Sequence, residues 1–99
     1  MKIPKTLKVG GHIYKIIDGY VFRERTDIHG QCDHSNLEIR LCRFDLSGKF
    51  AESKVECDFI HEMLHAIDNT YNGAQLKEED VVRLAEGLYQ VLTDNGLLK

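Results

Sequence analysis

His61-Glu62-Met63-Leu64-His65 is the stretch of this chain best equipped for chemistry. On an α-helix, residues four apart lie one turn up and about 40° around, so both imidazoles can reach a single metal ion. Glu62 stands about 100° around from His61, on the flank of the same face. There it can contact a metal-bound water without being a ligand. A zinc ion brings the pKa of such a water toward ~7, and a carboxylate beside it can take the proton as general base. These residue types at this spacing point to zinc-assisted hydrolysis, with His61 and His65 as metal ligands and Glu62 as the catalytic base.

A catalytic zinc needs a third protein ligand and keeps one position for water. His65 lies about seven residues before the expected end of its helix, roughly 10 Å at 1.5 Å per residue. In an antiparallel partner helix starting near Lys77, the matching height falls around residues 83 to 86. Glu78 and Glu79 lie too close to the turn by this reckoning, and Glu86 has the right height. Glu86 is therefore the expected third ligand. Asp68, three residues after His65, is the main rival. Its short side chain suits it better to orient an imidazole N–H from outside the metal shell. Gln90, one turn beyond Glu86, can play the same outer part.

The elements that must hold these groups are legible in the hydrophobic pattern. Residues 6–9 form a short run ended by Gly10-Gly11, a hairpin signal, and residues 12–17 are its expected partner. Residues 20–25 read as a third strand. Residues 30–33 and 37–42 flank the polar turn His34-Ser35-Asn36, with Leu37, Ile39 and Leu41 alternating against Glu38, Arg40 and Cys42. Ser47-Gly48-Lys49 reads as a loop. Ser53 with Glu56 fits a capping box that opens the first helix. Ile60, Met63, Leu64, Ile67 and Tyr71 then recur at helical spacing, and Asn72-Gly73 stops the helix. A second helix opens at Glu78-Glu79-Asp80, whose carboxylates suit the positive end of its dipole. Its apolar stripe is Val81, Leu84, Ala85, Leu88, Val91 and Leu92, and Asn95-Gly96 ends it. The expected fold is α+β: a small, twisted, mostly antiparallel sheet packed on the active-site helix, with a C-terminal helix beside it.

Ninety-nine residues are the length of one domain, taken here as 1–99. A net charge of −3, from 13 Lys+Arg against 16 Asp+Glu, gives no electrostatic case for a nucleic-acid partner. No apolar run approaches the ~20 residues that span a bilayer, and no secretory h-region is visible. Three cysteines, none in a CxxC pair, fit reduced thiols in the cytoplasm better than a disulfide framework. Cys32-Asp33-His34 with Cys42 matches no standard zinc spacing and reads as a hairpin with a core cysteine. Cys57, one turn before His61, reads as a small buried hydrophobe.

His61-Glu62-Met63-Leu64-His65 followed by Glu86 on a second helix resembles the gluzincin pattern of zinc metallopeptidases, in its minimal form of roughly a hundred residues (minigluzincins). Leu84-Ala85-Glu86-Gly87-Leu88 and His65-Ala66-Ile67-Asp68 look like short metallopeptidase-like proteins of phages and mobile elements, near the ImmA/IrrE and SprT-like groups. The resemblance covers residues 54 to 98. It implies a zincin-like fold, Zn²⁺ as cofactor, and a peptide or protein substrate aligned on an edge strand, for which residues 37–42 are the candidate. The sequence departs from the gluzincin pattern at Gln90, where an outer-shell Asp is usual. Tyr71, Tyr89, His29 and His34 are the candidates for stabilising a tetrahedral intermediate. The expected activity is zinc-dependent peptide hydrolysis. The alternatives are a non-catalytic zinc-dependent module that captures an extended segment at the sheet edge, and a metal-free helical hairpin that binds a partner.

Overall fold

A computed structural model describes residues 1–98. The fold is α+β, with a four-stranded mixed sheet and two helices. Strands β1 (Thr6–Val9) and β2 (His12–Asp18) form an antiparallel hairpin about Gly10-Gly11. Gly10 has φ +61, and a Cβ there would fall 2.6 Å from Thr70 Cγ2, so the turn needs glycine both for its backbone and for its closeness to the helix. Strand β3 (Gly30–Asp33) turns through residues 34–37 into β4 (Glu38–Leu41). The Asp33 carboxylate closes that turn, accepting from the main-chain N–H groups of Ser35 (3.1 Å) and Asn36 (3.0 Å).

The strand order is β1-β2-β4-β3. β4 runs parallel to β2, with Ile16 opposite Ile39, and antiparallel to β3, with Cys32 opposite Ile39. Two of the three pairings are thus antiparallel. Residues 37–42 are not the edge that the sequence suggested. Ile39 and Leu41 are wholly buried, so β4 belongs in the middle of the sheet, and β3 takes the edge beyond it. Residues 20–25 form no strand. They belong to the segment that carries the chain from β2 to β3, where Tyr20 and Phe22 pack edge to face at 4.8 Å. A small hairpin, β5 (Phe44–Asp45) with β6 (Gly48–Lys49), stands where a loop was expected.

Helix α1 (Glu52–Tyr71) lies across one face of the sheet. Val55, Phe59 and Ala66 meet Tyr14, Ile16, Ile39 and Leu41 in the core. On the opposite face Arg40 bridges Asp33 (3.0 Å) and Glu38 (2.5 Å). The capping box does not form. The residue before α1 is Ala51, without a side-chain cap, and Ser53 falls inside the first turn. Glu56 faces inward instead and accepts the Tyr89 hydroxyl at 2.6 Å. Helix α2 (Glu78–Asp94) packs on α1 through the fully buried Val81 and Ala85. Leu84, Leu88 and Val91 of its expected stripe stay largely exposed, because among the described elements α2 packs on α1 alone. No helix among the described residues is long and apolar enough to cross a membrane.

Candidate metal centre

His61 and His65 project from the middle of α1, where Ile60 and Ala66 on its inner face are pinned in the core. Their Nε2 atoms approach to 3.2 Å. Glu78, the first residue of α2, sets one carboxylate oxygen 2.8 Å from His61 Nε2 and the other 2.9 Å from His65 Nε2. One ligand atom from each of the three side chains lies within 4.8 Å of the others. Ligand atoms at the corners of a tetrahedral zinc site, ~2.0–2.1 Å from the ion, are about 3.3 Å apart. The separation of the two imidazole nitrogens matches that edge. The carboxylate needs to open by only a few tenths of an ångström. Two imidazole nitrogens and a carboxylate are all electron-pair donors, and together they could hold a metal ion.

The third member is thus Glu78 and not Glu86. Glu86 is exposed and lines the neighbouring wall of the cleft with Cys57 and Asp58, outside the group that converges. The two helices are not joined by a tight reversal. Residues 72–77 run back along α1 before α2 begins, which brings the first turn of α2 level with the histidines. Asp68 does not orient an imidazole. Its Oδ1 accepts from Asn72 Nδ2 (2.9 Å) and from the main-chain N–H groups of Gln75 (3.1 Å) and Leu76 (3.3 Å). Gln90 donates to Asp94, away from the histidines.

Glu62 is 6% exposed and lies between α1 and strand β3. Gly30, the first residue of β3, makes this possible: a Cβ there would come within 2.8 Å of Glu62 Oε2. Burial, then the negative charges of Glu78 and Asp58, push the Glu62 carboxyl up to about 8. A divalent ion among His61, His65 and Glu78 would offset that repulsion and favour the carboxylate.

Two clefts meet at Glu62. One, of about 440 Å³, is walled by His29, Gly30, Asp58, His61, Glu62 and Glu86 among others. The other, of about 250 Å³, runs between β3 and the histidines and is lined by Cys32, His34, His61, Glu62, His65 and Glu78. His34 is therefore on the wall facing the histidine pair. Its Nδ1 lies 3.2 Å from the hydroxyl of Tyr14, which is 1% exposed. If that hydroxyl donates, the imidazole proton resides on Nε2. Of the other candidates, His29 lines the larger cleft with its ring tilted against Phe50, Tyr71 is exposed, and the Tyr89 hydroxyl is committed to Glu56. Burial, with Glu62 and Asp33 nearby, pushes the Cys32 thiol up to about 12, so it stays protonated. Cys42 donates its thiol to the Phe44 carbonyl. No family model, curated protein or solved structure matches the chain.

Proposed function

We propose that the protein is a zinc-dependent peptide hydrolase of minimal size, with His61, His65 and Glu78 holding the ion. The observation that carries this reading is the convergence of those three side chains beside a buried carboxylate one residue along the same helix. When bound, the ion acidifies water and polarises a substrate carbonyl. Glu62 takes the proton of the attacking water and passes it to the leaving amine. Burial keeps that carboxyl away from bulk solvent, and Gly30 leaves it room. His34, oriented by Tyr14, is placed to donate from Nε2 to the developing oxyanion. The substrate chain adds to the sheet along β3, the edge strand that also contacts Glu62. This edge replaces residues 37–42 as the docking strand. The gluzincin resemblance supports the same chemistry through its His61-Glu62-Met63-Leu64-His65 motif.

The test uses purified protein and a mixed peptide substrate pool. About one equivalent of zinc per chain is expected, with hydrolysis that a chelator stops and zinc restores. Glu62→Gln should abolish hydrolysis and leave zinc bound. Zinc retention without turnover in the wild type would show a binding module rather than an enzyme. Absence of zinc binding would sink the whole reading.

A further inference from the structure

Asp68 is 5% exposed and is the most heavily engaged carboxylate near the candidate centre. It sits on α1 three residues after His65, yet its hydrogen bonds all go to the segment joining the helices. Its Oδ1 accepts from Asn72 Nδ2, Gln75 N and Leu76 N, and its Oδ2 lies 3.3 Å from the same Leu76 N–H. Its main-chain carbonyl accepts from the N–H groups of Asn72 and Ala74, both at 3.0 Å. One residue of α1 therefore gathers the main chain of four residues between 72 and 76. Left-handed backbone at Gly73 (φ 64) and Ala74 (φ 55) folds the segment back toward it.

Glu78 follows Leu76 by two residues. Its own carboxylate is 63% exposed, so packing does not fix its place. What brings it to the histidines is where the first turn of α2 begins. That start is set by the hold of Asp68 on Gln75 and Leu76 and by the burial of Val81 one turn further on.

We infer that Asp68 is a positioning residue for the metal centre: by anchoring residues 75 and 76 it holds Glu78 at the two imidazoles, and it raises metal affinity without being a ligand. This rests on the metal reading above. Hydrogen bonds from Asn72, Leu76 and Gln75 hold the Asp68 carboxyl below the usual range, so the anchor is an anion near neutral pH, where main-chain N–H donors bind it most strongly. The histidines stand on the body of α1 and make no hydrogen bond to the anchor, whose charge reaches His65 only at a distance. Loss of Asp68 therefore acts on one ligand of three.

A double-mutant cycle on zinc affinity, measured by chelator competition at a temperature where every variant is folded, separates this from a general role in stability. Glu78→Ala should weaken zinc strongly. Asp68→Ala should weaken it about 10- to 100-fold, the range for groups that orient ligands from outside. In the Glu78→Ala background, Asp68→Ala should change affinity less than about threefold, because its target is gone. Asp68→Asn, which keeps the Oδ1 acceptor, should fall between Asp68→Ala and wild type, and it serves if the alanine variant does not fold. An equal loss in both backgrounds would overturn the inference, and so would wild-type affinity in Asp68→Ala beside a weakened Glu78→Ala. If the wild type binds no zinc, or Glu78→Ala binds it normally, the assignment of the ligands fails first.

Discussion

Replacing Gly30 with alanine tests the contact on which the placing of Glu62, the proposed general base, depends. A Cβ at residue 30 would meet Glu62 Oε2 at 2.8 Å, Cγ at 3.3 Å and Cδ at 3.4 Å. Ordinary contact begins near 3.4 Å, so the carboxylate oxygen must retreat by about 0.6 Å. Glu62 is almost fully buried, which leaves it little space to do so. Forcing one extra methyl into a packed site costs about 1–3 kcal/mol. The stiffer unfolded chain returns about 0.4–1 kcal/mol. The net expectation is a loss of about 1–2 kcal/mol, or roughly 5–15 °C in Tm for a domain of this size. Thermal unfolding of metal-free protein, followed by circular dichroism, measures it. The decisive comparison uses the Glu62→Ala background, where the new methyl enters space that the carboxylate has left. There Gly30→Ala should be neutral or stabilising. The same loss in both backgrounds would refute the contact. Zinc affinity should stay near wild type in Gly30→Ala, since the change touches Glu62 and not the proposed ligands.

Three further outcomes follow from the same structure. Glu86→Ala should leave zinc affinity within a few-fold of wild type, while Glu78→Ala should lower it by far more; equilibrium titration of the two variants side by side tells them apart. Phe59→Ala, at a side chain 2% exposed against the sheet, should cost about 3–5 kcal/mol in urea unfolding. Asp33 is held down to about 2 by the main-chain N–H of Asn36, then the Asn36 side chain and Arg40. Its folded value is thus below its unfolded one, so its stabilisation is complete above about pH 4 and is lost as pH falls toward 2. The amide signals of Ser35 and Asn36 should titrate with that low midpoint, and Asp33→Asn should reduce the acid dependence in this window, the rest coming from Asp27, Asp45 and Asp68, which are also held low.

The helices and the histidine pair were legible because their signals are local. Four-residue spacing, Asn72-Gly73, Asn95-Gly96 and the acidic opening of α2 each act within a turn or two of chain. The Gly10-Gly11 hairpin was readable for the same reason. Strand order was not. Ile39 and Leu41 alternate correctly, but alternation says which face is buried and not which neighbour is paired, so the parallel pairing of β2 with β4 left no mark in the pattern. The strand signal in residues 20–25 lost to the crossover that this pairing requires. Glu78 and not Glu86 meets the histidines because the chain does not reverse immediately at the end of α1. Asp68 followed by Asn72, Gly73 and Gln75 is the signal that a folded-back segment intervenes, and it becomes readable only once the donors to Asp68 are known.

Helix α2 keeps just two fully buried side chains, Val81 and Ala85, both in its first half. Beyond Ala85 the helix carries Leu88 and Val91 about half exposed. Such a helix is moored firmly at the bow and held at the stern mainly by the Tyr89 hydroxyl on Glu56. With zinc at the proposed centre, starving the protein of it would slip the mooring line at Glu78, and the C-terminal segment would then fray sooner and meet a protease sooner. In a metal-poor setting the lifetime of the chain would then shorten along with the proposed activity.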